Sequence, residues 1–146
     1  MYGWVIFLHV LAATVWTGGH LVLATAVLPR ALRQRSPQVL LDFEQGYERI
    51  GMPALLIQVA TGLWMAQQMV PGVAAWLAPE TPLARAIALK LVLLLLTALI
   101  AAHARLRVIP RLSPATLPLM AWHVAAVTLL SVAFVAVGAS FRFGGG

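Results

Sequence analysis

Four histidines, His9, His20, His103 and His123, and one lysine, Lys90, stand inside long apolar runs of a 146-residue chain. Ionisable side chains are costly in a bilayer and mark ion, proton or cofactor sites when they occur there. Imidazole suits iron, copper and zinc as a ligand. A desolvated amine serves as a neutral ligand or a charge partner, and otherwise snorkels to the interface. His9 and His20 are eleven residues apart, almost three full helical turns and roughly 16 Å along one axis. They share a stripe with Ala13, Trp16 and Ala24, small enough over most of its length to leave room for a flat cofactor. Gly18 and Gly19 beside it admit a close neighbour. Gln58, Thr61, Met65 and Met69 recur at helical spacing further along the chain. Methionine there fills gaps more often than it binds copper.

Two chemistries suit this donor set. One is b-type haem, one or two groups, held by histidines from facing helices. His20 and His103 are then the expected ligand pair, with His123 as an alternative ligand or a propionate partner, and His9 with Lys90 marks a second site. Such a protein carries electrons to or from quinone, metal or oxygen species, possession of an oxidoreductase activity being left open. The other is copper, bound by His9, His20, His103 and His123 as cargo, although copper(I) transport usually uses softer sulfur ligands. Zinc accepts three histidines, but no carboxylate base for hydrolysis stands near. A third reading, an accessory subunit without a cofactor, treats the histidines as cross-helix hydrogen bonders.

The elements that must position these residues follow from composition. Hydrophobic residues make up 62% of the chain and charged ones 10%, and the mean hydropathy is +0.92. Soluble domains are nearer half apolar and a quarter charged. The expected fold is therefore all-α and integral to a membrane, a single domain over residues 1–146 with spans of about 4–28, 52–69, 84–108 and 117–141. The first span carries no basic leader and no cleavage site, so it reads as retained. Ser36 and Pro37 start a short interfacial amphipathic helix over 36–44, and Pro53 suits the first turn of the second span. All four acidic residues, Asp42, Glu44, Glu48 and Glu80, are expected in loops.

Charge fixes an expected orientation. Arg30, Arg33, Arg35 and Arg49 lie between spans one and two, and Arg105, Arg107 and Arg111 between three and four. Only Arg85 and Arg142 fall on the other side. By the positive-inside rule both termini face outward, and the spans form an antiparallel four-helix bundle. The net charge of +6 then reflects topology and anionic lipid. Nucleic acid is excluded as a partner, because no basic stripe carries interleaved aromatics. Cysteine is absent, which excludes disulfides, iron–sulfur clusters and thiol chemistry. A second copy is a candidate partner, although no motif fixes an interface.

Span one, with Leu8-His9-Val10-Leu11-Ala12-Ala13 leading to Val15-Trp16-Thr17-Gly18-Gly19, resembles the opening helix of the CopD family of bacterial inner-membrane proteins and of the related HemJ-type protoporphyrinogen oxidases. Pro53-Ala54-Leu55-Leu56-Ile57-Gln58-Val59-Ala60-Thr61-Gly62-Leu63-Trp64 and Leu89-Lys90-Leu91-Val92-Leu93-Leu94-Leu95 continue the likeness. The resemblance implies a four-helix bundle in the bacterial inner membrane. It further implies copper uptake or tolerance from the CopD side, and b-type haem from the HemJ side. The first-helix histidine and third-helix lysine of HemJ-type proteins match His9 and Lys90. The chain departs from that pattern in adding His20, His103 and His123 and in its Gly138-Ala139-Ser140-Phe141-Arg142-Phe143-Gly144 ending, which brings it closer to short CopD-like proteins.

Overall fold

The computed structural model describes residues 1–78 and 80–140. The expected end of span four at Phe141, with Arg142 and the glycine tail, lies outside the described residues. Four helices are long and apolar enough to cross a membrane: α1 (Tyr2–Gln34), α2 (Pro37–Met69), α4 (Pro82–Arg111) and α5 (Pro114–Ser140). A short α3 (Val73–Leu77) lies between α2 and α4. Among the described residues there is no strand. The protein is thus an all-helical, multi-pass membrane protein. α1 packs against α2 and α5, and α5 packs against α4, so α1 and α4 sit on the diagonal of an antiparallel bundle.

Chain breaks occur where the sequence supplies them. α1 ends at Arg35, in the left-handed region at φ 51, and Ser36 N donates to Ala31 O at 3.0 Å. Pro37 starts α2 from an extended Ser36. Thr81 caps α4 by accepting from Ala84 N at 3.1 Å, with Pro82 in the first turn. α3 is anchored by Trp76, which is buried and donates from Nε1 to Val70 O at 2.7 Å.

Pro29 shapes α1 without ending it, and Pro110 lies in the turn that closes α4. Pro29 and Pro110 lack an N–H, and each ring would collide with the carbonyl four residues back. A π turn over Leu23–Val27 precedes the first and one over Ala104–Val108 precedes the second. Leu28 N therefore donates to Leu23 O, and Ile109 N to Ala104 O, five residues back. α1 and α4 so continue past the expected limits of their spans.

Pro53 corrects a sequence expectation. It lies inside α2 rather than in its first turn. The segment read as a separate interfacial helix over 36–44 is the first part of one 33-residue helix. Continuity costs a single backbone bond at Pro53, a loss that membrane helices tolerate. It keeps the preceding half docked on its neighbours. Asp42, Glu44 and Glu48 accordingly lie on α2, not in a loop. Arg105 of α4 forms ion pairs with Glu44 at 3.4 Å and with Glu48.

The apolar core is divided between the two ends. At the arginine-rich end Leu23, Val27, Leu28 and Ala31 of α1 pack with Leu40, Val108, Leu117, Met120 and Val124. At the opposite end Ala66, Trp76 and Ile87 pack together. Between these clusters the buried polar residues Thr17, Gln58, Thr97, Thr128 and Ser131 fill the waist of the bundle. Thr97, Thr128 and Ser131 donate to the carbonyls of Leu93, Val124 and Val127 on their own helices.

Candidate functional site

The histidines occupy three separate settings, each defined by what holds the ring. His9 of α1 faces α2. Its Nδ1 lies 2.8 Å from Thr61 Oγ1. The Thr61 hydroxyl spends its only proton on Ile57 O at 2.6 Å. The hydroxyl oxygen must therefore accept, His9 Nδ1–H must donate, and Nε2 carries the lone pair. Gly62 makes this approach feasible, because a Cβ there would stand 3.1 Å from His9 Cε1. Lys90 of α4 enters the same layer and interacts electrostatically with His9. Its Nζ lies 5.8 Å above the Phe134 ring centroid, beside Gly138, where a Cβ would be 3.5 Å from the amine. All four long helices thus contribute to this layer.

His20 is one turn beyond Trp16 on α1, and its Nδ1 donates to Trp16 O at 2.9 Å. The Tyr47 hydroxyl of α2 donates to the same carbonyl at 2.8 Å. The His20 ring packs 4.5 Å from the Trp16 ring and 5.6 Å from the Tyr47 ring. Phe43 stacks on the far side of Tyr47 at 5.6 Å. The Tyr47 ring lies against Gly19, where a Cβ would overlap it, and against Gly51. A Cβ at Gly18 would meet nothing within 4 Å. Of the two adjacent glycines, only Gly19 serves the close approach. The stripe expected to leave room for a flat cofactor is filled by Trp16 itself, which is buried.

His103 and His123 meet across the α4–α5 interface. His103 Nδ1 lies 2.7 Å from His123 Nε2, and the rings lie edge to edge with centroids 5.0 Å apart and planes 11° from parallel. His123 Nδ1 donates to Leu119 O at 2.8 Å, so its Nε2 accepts and His103 Nδ1–H donates. The lone pair of His103 then sits on Nε2, and that side chain is exposed.

His20 and His103 do not touch: His20 packs against Trp16 and Tyr47, and His103 bonds His123. Among the described residues no group of three or more His, Cys, Asp or Glu stands together as a ligand set. Two surface grooves, one between α4 and α5 near Arg85 and Ser140, the other beside Glu44, Glu48 and Arg105, contain no histidine. The sequence reading named Thr61 and the glycines but missed Tyr47 and Thr128. The Thr128 hydroxyl reaches the His20 carbonyl at 3.3 Å. The available signal for Tyr47 was an aromatic residue opposite a glycine in a neighbouring helix, which requires knowing how α1 and α2 are aligned.

Fold and site together define a multi-pass helical membrane protein whose long helices carry four imidazoles, each with its Nδ1 hydrogen-bonded. The model of the family described as copper resistance protein D matches residues 41–141. The match covers well over half the chain, and the protein belongs to this CopD family. No curated protein and no solved structure matches it.

Proposed function

We propose that the protein handles copper within the membrane, taking the ion as cargo on neutral imidazole nitrogens. Family membership supports copper. The observation that carries the reading on this chain is the common wiring of His9, His20 and His103. In each ring Nδ1–H donates to a fixed acceptor, and Nε2 is left with its lone pair. Metal-binding histidines are typically held this way, with the second nitrogen donating to an outer partner that sets tautomer and orientation. His9 and Lys90 form one station, His20 a second and His103 with His123 a third. They are spaced along the bundle, which suits an ion passed on better than one stored in a closed cage. On the positive-inside reading of the arginines, the His103 station lies towards the cytoplasmic side.

The same wiring also suits axial ligation of haem, so the experiment must separate the two cargoes. Cells expressing the full chain with ample haem are assayed for copper accumulation, and the purified protein for its oxidised and dithionite-reduced spectra. We expect copper accumulation that falls at least several-fold in His9→Ala and in His20→Ala, with no Soret absorbance. A stoichiometric Soret band lost in the same variants, with unchanged copper accumulation, overturns the copper reading in favour of the redox one.

A further inference from the structure

Among the described residues, one buried side-chain polar atom has no hydrogen-bond partner: Oε1 of Gln58, on a residue only 9% exposed. Thr97, Thr128 and Ser131, also buried, each bond a carbonyl of their own helix. A carbonyl oxygen that has lost water and gained no donor destabilises the fold, and such a group calls for a ligand or a role. The α1–α2 register defines its place. Gly62 lies against His9, and Tyr47 packs against both Gly19 and Gly51. By residue count between these contacts Gln58 is level with Ala12, which is buried and contributes only a methyl group. Gln58 is one turn from Thr61, the residue that holds His9. Long side chains on a helix lean towards its N-terminus, here towards Tyr47 and His20. The carboxamide therefore falls between the His9 and His20 stations, which the helical rise sets roughly 16 Å apart.

We propose that Gln58 Oε1 is a transit ligand for copper(I) between His9 and His20. The inference rests on the copper reading above and adds the step that joins two of its stations. Metal–imidazole bonds are only about 2 Å long, so no ion passes directly from one ring to the other. An ion crossing this apolar seam needs an electron pair on the way. Ala12 and Ala13 of α1 offer none, and Trp16 offers only a ring face. An amide oxygen is a harder donor than copper(I) prefers. The ion therefore binds it weakly and leaves it readily, as conduction between tighter sites requires. The negative end of the carboxamide dipole, unopposed by a donor, becomes stabilising while the cation passes.

The test compares Gln58→Leu and Gln58→Met in the full chain. Leucine removes the carboxamide and leaves an apolar side chain. Methionine does the same but supplies a thioether, a soft ligand for copper(I). Initial rates of copper accumulation are followed in cells, and copper(I) bound per purified chain is measured by competition with a chromophoric chelator. Gln58→Leu should lower the maximal rate at least several-fold. The half-saturating copper concentration and the copper bound at equilibrium should stay as in the parent. Its melting temperature should equal or exceed the parent's, because an orphaned polar atom is removed. Gln58→Met should recover most of the rate. A parental rate in Gln58→Leu, with His9→Ala and His20→Ala still slow, overturns the transit ligand and leaves the copper reading standing. Equal loss in Gln58→Leu and Gln58→Met makes the carboxamide a hydrogen-bonding group and overturns the ligand role. A lower melting temperature in Gln58→Leu shows that Oε1 is spent on the fold and overturns it too. Accumulation indifferent to His9 and His20 overturns the copper reading, and the transit ligand with it.

Discussion

At the scale of single residues, the chemistry depends on which nitrogen of each imidazole is spent. Thr61 shows the mechanism most plainly. Its hydroxyl donates to Ile57 O and can only accept from His9. Replacing Thr61 with Val keeps the shape but removes the acceptor, leaving the His9 tautomer unfixed. We expect Thr61→Val to reduce copper binding at the His9 station by about 10–100-fold with little change in thermal stability. Thr61→Ser, which restores the hydroxyl, should recover most of it. Binding measured at that station in a His20→Ala, His103→Ala background checks both. The histidines, Lys90, Gln58 and Thr61 were legible in the sequence because a polar side chain in an apolar run is conspicuous. Their pairing was not. Whether His103 meets His20 or His123 depends on the rotation of α4 about its own axis against α5, and no spacing within one helix encodes that.

At the scale of elements, the α1–α2 contact is set by one aromatic ring of α2 and the α1 glycine it meets. Tyr47 inserts against Gly19 and Gly51 and bonds the Trp16 carbonyl. A methyl group at Gly19 cannot be accommodated unless the ring moves, and overpacking of this kind costs about 1–3 kcal/mol. Gly19→Ala is therefore expected to lower the melting temperature and perturb His20, which shares the Trp16 carbonyl with Tyr47. Gly18→Ala, with open space at its Cβ, should be neutral or stabilising by up to about 1 kcal/mol, because alanine gives up less backbone freedom in a helix. Thermal unfolding of both variants in one detergent makes the comparison. The spans were legible here, since each apolar run has a clear mean. The length of α2 was not. Pro53 and the change from polar to apolar character both suggest a boundary at the membrane surface, yet the helix passes through because Tyr47, Leu40 and the Arg105 ion pairs hold its first half in place.

At the scale of the whole molecule, arginine is gathered at the end carrying the turns between α1 and α2 and between α4 and α5. The positive-inside rule turns this into an orientation that labelling can read. In intact bacterial cells, a membrane-impermeant maleimide should react with Glu80→Cys and fail to react with Gln34→Cys until the membrane is opened. The opposite pattern moves the His103 station to the outer side of the membrane. The diagonal placement of α1 and α4 followed from short connections in an up-down bundle and was legible in the sequence. The two π turns were not, since a proline in an apolar run gives no sign of whether it ends, kinks or rephases a helix. Their presence has a practical result for protein engineering. Each inserts one residue into the helical count, so side chains before Leu23 and after Val27 follow two different phases, about 100° apart. A rigid helical fusion grafted beyond α1, for example to enlarge this small bundle for imaging, must be aligned by counting back to Leu28. An alignment counted from Tyr2 would aim the graft at the wrong side of the molecule.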